Sequence, residues 1–171
     1  MKASQLQSSE YSSYYGNYID QAGDLELLKG LEDNLSSIQS FYTSISEEKY
    51  DYSYAEGKWT LKEILQHLID TERVFAYRAL RVARKDKVNL PGFSQDDFVL
   101  TSCANLRTKK DLIEEFVSVR NSTISLFRSF NNEMLLEVGR ASDSPVSVRA
   151  IGFIIIGHEV HHAKVIRERY L

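Results

Sequence analysis

The four histidines of this chain fall into two stretches, and each stretch has the spacing of a helix. His67 lies in the first stretch, and His158, His161 and His162 lie together in the second. Residues four apart share one face of a helix, so the imidazoles of His158 and His162 are expected to point the same way. Two histidines at this spacing form a ready bidentate clamp for a metal ion.

A third imidazole, from His67, would complete a set of three nitrogen ligands. His158 and His162 continue the apolar stripe of Ile151 and Ile155, so both rings are expected to face the protein core. Several neutral imidazoles in a core are best satisfied together by a cation. Three protein ligands leave coordination positions open for water or substrate, as in catalytic zinc sites. Nitrogen ligands suit zinc, nickel, iron or cobalt and do not choose among these divalent metals.

The same residues leave three alternatives open. The histidines could be ordinary polar residues at a helix edge, and His161 could replace His162 as a ligand because residues three apart also share a face. The stretch from His158 to His162 also matches H-E-x-x-H, in which the glutamate is the general base of zinc proteases. No histidine or aspartate follows His162 to complete such a site, so a protease is disfavoured. Glu159 and His161, together with Asp70, are the candidate catalytic residues that could orient ligands or carry protons.

Four long helices are the elements that must position these side chains. Apolar residues recur at three- and four-residue spacing over residues 25–45, 60–85, 109–130 and 148–170. No segment alternates with a period of two between hairpin signals, so little or no sheet is expected. Four helices with one apolar stripe each bury those stripes most simply as an all-α four-helix bundle.

Side chains that could cap a helix precede each of these four segments. Thr60 and Glu63 have the spacing of a capping box, in which each side chain bonds to the backbone N–H of the other residue. Asp24, Thr108 and Ser147 are the predicted N-caps of the other three helices.

Two long connections separate the predicted helices. Residues 86–107 and 131–147 exceed the usual bundle turn of about 2–8 residues. Such lengths imply either crossover connections or functional loops, and residues 92–97 are a candidate lid. Residues 1–171 are expected to form a single domain, with residues 1–23 as an N-terminal segment that packs on the bundle.

Composition and charge exclude several classes of function. The net charge is −3 and the sequence pI is near 5.8. A duplex-binding surface needs many unneutralised basic side chains, so no nucleic acid partner is expected. The longest apolar run, residues 150–156, is far too short to span a bilayer, and no signal-peptide pattern is present. With the single Cys103 unable to form an internal disulfide, we expect a cytoplasmic protein without a membrane partner.

Several stretches of the chain, in their order and spacing, resemble the DinB-like (DinB/YfiT-type) family of bacterial metalloenzymes. These stretches are Trp59–Arg81, Leu90–Phe93, Val119–Thr123 and Val146–Leu171, the last of which contains Gly157-His-Glu-Val-His-His. Residues 10–18 also look like the N-terminal part of that family. The resemblance therefore spans nearly the whole chain.

The resemblance implies a four-helix bundle that binds a metal ion, often nickel or zinc, through three histidines. It matches those ligands to His67, His158 and His162. It also implies a homodimer and a small-molecule substrate. Some members of the family are S-transferases that join low-molecular-weight thiols to electrophiles, and others are regarded as metal-dependent hydrolases. A non-catalytic, metal-stabilised bundle that acts as a sensor or interaction module is the alternative.

Overall fold

Helices make up most of the structure, a computed structural model that describes residues 1–171. The helices are α1 (Gly16–Gln21), α2 (Leu27–Ser44), α3 (Leu61–Ala83), α4 (Gln95–Thr101), α5 (Lys109–Arg128), α6 (Asn132–Leu136) and α7 (Val148–Arg169). The strands are β1 (Asn89–Leu90), β2 (Val138–Ala141) and β3 (Ser144–Ser147). Short 3-10 turns lie at Ala3–Gln5, Ser8–Glu10, Ser13–Tyr15, Glu47–Lys49 and Ala104–Leu106. No helix combines the length and the apolar content needed to cross a bilayer.

Three of the four predicted helix caps are confirmed. The Thr60 hydroxyl accepts from the Glu63 N–H, and the Glu63 carboxylate accepts from the Thr60 N–H at 2.8 Å, which is the expected capping box of α3. The hydroxyls of Thr108 and Ser147 accept backbone N–H groups in the first turns of α5 and α7. These caps satisfy N–H groups that would otherwise lack partners and fix where the helices begin.

The prediction that Asp24 caps α2 is wrong. The helix begins at Leu27, and the residue before it, Glu26, has an extended backbone. The Asp24 carboxylate instead accepts from the Lys2 ammonium at 2.7 Å and from the Ser4 hydroxyl at 3.2 Å. The Asp24 carboxylate therefore binds the N-terminal segment and does not cap α2.

The four long helices form a bundle in which chain neighbours are not always spatial neighbours. Helix α2 packs against α5 and α7, and α3 packs against the same two helices. Consecutive helices α2 and α3 therefore occupy diagonal positions, unlike those of an up-down-up-down bundle. The connection over residues 131–147 also joins diagonal helices, α5 and α7, whereas residues 86–107 join the neighbours α3 and α5.

The structure contains a small three-stranded sheet at one end of the bundle. The sequence predicted little or no sheet. Strand β1 pairs in parallel with β2, and β2 pairs antiparallel with β3. Ser142 and Asp143, with φ of 50° and 60°, make the two-residue turn of this hairpin. Turns with positive φ at both central residues usually carry Asn-Gly or Asp-Gly, so Ser-Asp gives no hairpin signal in the sequence.

The core of the bundle is divided into two apolar halves by a layer of polar side chains. One apolar cluster of 22 buried residues includes residues 150–151 and 153–156 of α7, and a second of 15 includes Ala163 and Ile166 of the same helix. The layer between them holds the buried side chains of Asn34, Glu72, Arg120, His158 and Glu159. Buried polar groups are costly unless they are paired, so this layer needs a structural or chemical explanation.

The N-terminal segment lies against the helix that carries three of the four histidines. Helix α1 packs along α7. Arg149 of α7 donates from Nε to the Glu10 carboxylate at 2.8 Å, and this ion pair is buried. At Gly157 the two backbones approach so closely that an added Cβ would lie 1.6 Å from the carbonyl oxygen of Tyr18. Only glycine permits this contact.

Candidate metal centre

Three imidazoles from two helices converge on one point in the bundle. His67 is supplied by α3, and His158 and His162 are supplied by consecutive turns of α7. The Nε2 atom of His158 lies 3.1 Å from the Nε2 atom of His67 and 3.1 Å from that of His162. The three ligand atoms all lie within 4.8 Å of one another. His67 and His158 are buried, and His162 is half-buried.

The two separations of 3.1 Å at His158 fit a shared cation. Nitrogens bound at about 2.0–2.1 Å to one zinc ion lie roughly 2.8–3.4 Å apart at angles between octahedral and tetrahedral. A neutral imidazole nitrogen is either a donor or an acceptor, and Nε2 of His158 faces two other ring nitrogens. One such atom does not satisfy both neighbours by hydrogen bonding. A cation between the three rings would satisfy all of them together.

Burial keeps the three rings in the form that binds metals. It lowers the pKa of His67 to about 4 and that of His162 to about 3. Burial also lowers the pKa of His158 well below its usual value, and the adjacent imidazoles add to that shift. All three histidines are therefore neutral at neutral pH, which leaves a lone pair available for coordination.

Neighbouring side chains fix the orientation of the rings. The Thr71 hydroxyl lies 3.4 Å from Nδ1 of His67, the nitrogen that points away from the other histidines. The Trp59 ring lies 4.9 Å from the His67 ring between centroids. Tyr18 packs edge-on against His158 at 5.2 Å. Partners of this kind hold the ligand nitrogens in position before any ion binds.

A cavity of about 480 Å³ opens beside two of these histidines. His67 and His158 belong to its wall, so the point of convergence is accessible from this space. The cavity wall also includes Tyr15 of the N-terminal segment, Phe75 and Arg78 of α3, Phe93 of the loop before α4, Asp96 of α4 and Ser142 of the β2–β3 hairpin. The candidate lid, residues 92–97, thus contributes directly to the cavity wall.

Residues 31–166 match the DinB superfamily. The chain belongs to this superfamily. The match begins in α2 and ends in the last turns of α7, so it includes all four bundle helices and all three converging histidines.

One protein of similar sequence and two solved structures are similar to this DinB superfamily chain. A provisionally named metal-dependent hydrolase of Oceanobacillus iheyensis is 22% identical over 139 residues, which are 80% of this chain and 79% of the relative. The structure of YfiT from Bacillus subtilis, provisionally assigned as a metal-dependent hydrolase with an unusual four-helix bundle topology, has a TM-score of 0.72 at 12% identity. That alignment covers 96% of this chain and 90% of YfiT.

The third relative is a mycothiol-dependent maleylpyruvate isomerase. Its structure aligns with a TM-score of 0.67 at 12% identity and covers 86% of this chain but 62% of the isomerase. At such identities the likeness of these two structures establishes the shared four-helix fold. The expectation of a DinB/YfiT-like bundle is therefore confirmed.

The candidate catalytic residues Glu159 and His161 do not line the cavity. The buried Glu159 carboxylate accepts from the Arg120 guanidinium and from the Asn34 amide, the latter at 3.3 Å. His161 is half-buried, packs against Tyr18 at 5.3 Å and borders a separate surface groove. Catalytic roles for both residues stay predictions.

Asp70, the third candidate, also lies outside the cavity wall. Its carboxylate accepts from the Gln66 amide at 2.9 Å and lies 3.8 Å from the Arg73 guanidinium. Burial raises the pKa of this carboxyl, and the Gln66 hydrogen bond opposes the rise. Asp70 is not part of the cavity wall, so a role in proton transfer there has no support from its position.

A buried ion-pair network, which sequence reasoning missed, links the helices that carry the histidines. Arg120 of α5 donates from Nε and Nη2 to the Glu72 carboxylate of α3 at 2.8 and 2.9 Å. It also donates to Glu159 of α7. Asn34 of α2 donates to Glu159 and to the carbonyl oxygen of Ile156 at 3.1 Å. All four bundle helices therefore meet in one polar network next to His158.

The sequence held one signal for this network. Phe116, Arg120 and Ile124 recur at four-residue spacing, which places the arginine on the apolar face of α5. A charge on such a face needs a buried partner. Two carboxylates share this guanidinium, and burial raises the pKa of Glu159 to about 7 against the influence of Arg120.

Proposed function

We propose that this chain is a metal-dependent enzyme in which His67, His158 and His162 bind one divalent cation. Nickel and zinc are the favoured cations, ahead of iron and cobalt. The observation that carries the proposal is the convergence of three neutral imidazole nitrogens at the wall of an accessible cavity. Three protein ligands leave coordination positions for a substrate. The names of the hydrolase and isomerase relatives support the same class of activity.

The substrate of this proposed enzyme is a small molecule. A cavity of about 480 Å³ lies within the range of about 300–1,000 Å³ that is typical of small-molecule sites. A divalent cation held there would lower the pKa of a coordinated thiol or water molecule and so supply a nucleophile at neutral pH. The lining residues would orient the second reactant and limit the access of water.

Between these two nucleophiles we favour a thiol, which makes the protein a thiol-dependent S-transferase. The only carboxylate in the cavity wall is that of Asp96, which is exposed and lies in the first turn of α4. Hydrolysis usually needs a side-chain base beside the water, whereas a coordinated thiol is deprotonated outright. In the transfer, sulfur bonds to the electrophilic carbon, an epoxide C–O bond opens, and the thiol proton ends on the epoxide oxygen.

Hydrolysis is the second candidate, because two of the three relatives carry that assignment. Both candidates use the same three ligands and the same cavity. They differ in whether turnover requires a thiol. A homodimer, which the family resemblance implies, stays a prediction that sedimentation would measure.

Product formation with and without a chelator tests the proposal. We expect turnover of an epoxide or chlorinated electrophile with a low-molecular-weight thiol, and a fall of at least about 100-fold on metal removal or in His67→Ala. Ester hydrolysis without any thiol would move the assignment to the second candidate. Turnover that survives chelation would overturn the proposal, and a metal-loaded protein inactive with every thiol and ester would support the non-catalytic alternative.

A further inference from the structure

Arg78 differs from the other buried arginines because it has no carboxylate partner. Three arginines are buried, namely Arg78, Arg120 and Arg149, with 3%, 0% and 9% of their surface exposed. Arg120 pairs with two glutamates, and Arg149 pairs with Glu10. No acidic oxygen lies within 4.0 Å of the Arg78 guanidinium. A buried charge without a counter-ion is unfavourable, so the Arg78 guanidinium would be stabilised by an anion from outside the chain.

The surroundings of Arg78 hold its guanidinium in place without neutralising it. Nη2 donates to the carbonyl oxygen of Pro91 at 2.8 Å and to the Ser142 hydroxyl at 3.2 Å. The guanidinium also lies over the rings of Phe75 and Phe93, at 5.3 and 5.8 Å from their centroids. Nε and Nη1 donate to no carbonyl or carboxylate of the protein. Apart from a contact with the Tyr15 phenol, these donors remain for a ligand in the cavity that Arg78 lines.

The rest of the cavity wall adds the Tyr15 hydroxyl close to Arg78 and one remote carboxylate. Burial raises the pKa of the Tyr15 phenol, and the charge of Arg78 opposes the rise because the two groups lie close together. Asp96 is the only acidic residue of the wall, and it is exposed in the first turn of α4 without an ion pair to Arg78. The cavity therefore combines a cation and a hydroxyl at one place with no competing anion beside them.

Arg78 and the metal centre lie on the same face of the same helix. His67, Thr71, Phe75 and Arg78 follow one another at spacings of four, four and three residues, and all four line the cavity. Eleven residues of helix advance roughly 16 Å along the axis. A ligand that reaches both ends must therefore be elongated, and Phe75 would contact its middle.

We propose that Arg78 binds the oxyanion end, a carboxylate or a phosphate, of an elongated small substrate whose reactive end lies at the three histidines. This inference rests on the proposed function for the identity of the reactive end. The middle of the substrate is apolar, because it passes Phe75. A charge-assisted hydrogen bond to a guanidinium discriminates strongly between an anion and a neutral group of the same size.

The direct test compares hexanoate, hexylphosphonate and hexanol as ligands of the purified protein by NMR titration. We expect the better of the two anions to bind about tenfold or more tightly than the alcohol, as charge-assisted hydrogen bonds imply. The better anion identifies the oxyanion. In Arg78→Gln this preference should disappear while the affinity for hexanol stays unchanged, which shows that the cavity is intact.

Arg81→Gln is the matched control, since Arg81 lies one turn further along α3 and pairs with Asp86 outside the cavity. It should keep the wild-type preference for the anion. Equal binding of anion and alcohol by the wild type would overturn the proposal, and so would a preference that Arg78→Gln retains.

A second titration separates this inference from the proposed function. Mercaptoundecanoate and mercaptoundecanol, whose chains are long enough to span the roughly 16 Å between the two ends, are added to the cobalt-loaded protein, and the sulfur-to-cobalt charge-transfer band is recorded. Absence of the band with both thiols contradicts thiol binding at the histidines and leaves the NMR result on Arg78 standing. A band with equal affinity for both thiols contradicts the role of Arg78 and leaves the proposed function standing.

Discussion

Burial disfavours protonation of the three converging histidines. Nε2 of His158 has two other ring nitrogens at 3.1 Å, and the pKa of each ring lies below its ordinary value. A positive charge on any of these rings would be desolvated and close to the others. The protein therefore favours one positive charge between the rings over protons on them.

The stability of the metal-free protein should fall as the pH is lowered from 7 to 5. The pKa of His67 is about 4 in the folded protein and about 6.5 in an unfolded chain, so the unfolded state takes up its proton first. The stability from neutral His67 is complete above about pH 6.5 and is lost towards pH 4. Over the interval from pH 7 to 5 we expect a loss of roughly 2 kcal/mol from this residue.

Urea unfolding with a chelator at both pH values measures this effect. His67→Gln is the control, because glutamine has no proton to gain and should show a smaller decrease between the two pH values. An equal pH dependence in both proteins would show that His67 is not held neutral by burial.

Sequence predicted which histidines come together better than it predicted their surroundings. The four-residue spacing of His158 and His162 determines a shared face, and the apolar stripe of α7 predicts that this face is buried. The roles of Arg78 and Arg120 depend on residues far away in the chain, such as Ser142 and Glu72. Periodicity within one helix carries no information about such partners.

At the element scale, the Arg120 network sets how the four bundle helices meet. Its carboxylates lie close to the turns that carry the converging histidines, with Glu72 adjacent to Thr71 and Glu159 adjacent to His158. Hydrogen bonds between helices at this level oppose sliding of α3 past α7, which would separate the histidines. We infer that Glu159 positions α7 through this network.

Arg120→Met should destabilise the metal-free protein by about 3–5 kcal/mol, because it leaves two buried carboxylates without their cation. The matched control on the same helix is Arg128→Met, which removes an exposed ion pair with Glu32 and should cost less than about 1 kcal/mol. Urea unfolding of both variants gives the comparison. Equal losses would mean that the buried network contributes no more than a surface pair.

The contact between α1 and α7 depends on Gly157. A Cβ at this position would overlap the carbonyl oxygen of Tyr18, so Gly157→Ala must displace the N-terminal segment. We expect a loss of about 1–3 kcal/mol from overpacking and faster hydrogen exchange across α1. Gly16→Ala is the control, since an added Cβ there meets nothing within 4 Å. Unchanged exchange in Gly157→Ala would contradict the close packing of α1 on this turn.

At the scale of the whole molecule, sequence predicted the bundle and not its connectivity. Apolar periodicity and caps such as Thr60 and Ser147 locate the four helices because these signals act within one helix. The diagonal placement of α2 and α3, and the hairpin with its Ser142–Asp143 turn, result from contacts between distant segments. The cavity is formed by five such segments, from the N-terminal residues to α7, so it has no sequence pattern of its own.

The metal content of the purified protein decides whether the three histidines bind a cation. Elemental analysis should find one divalent cation per chain in the wild type and in His161→Ala, whose ring lies outside the cluster. His67→Ala, His158→Ala and His162→Ala should each lose most of that metal after the same dialysis, because two ligands hold a cation much less tightly than three. A wild type that binds no divalent metal, or a full equivalent retained in all three variants, would contradict the account.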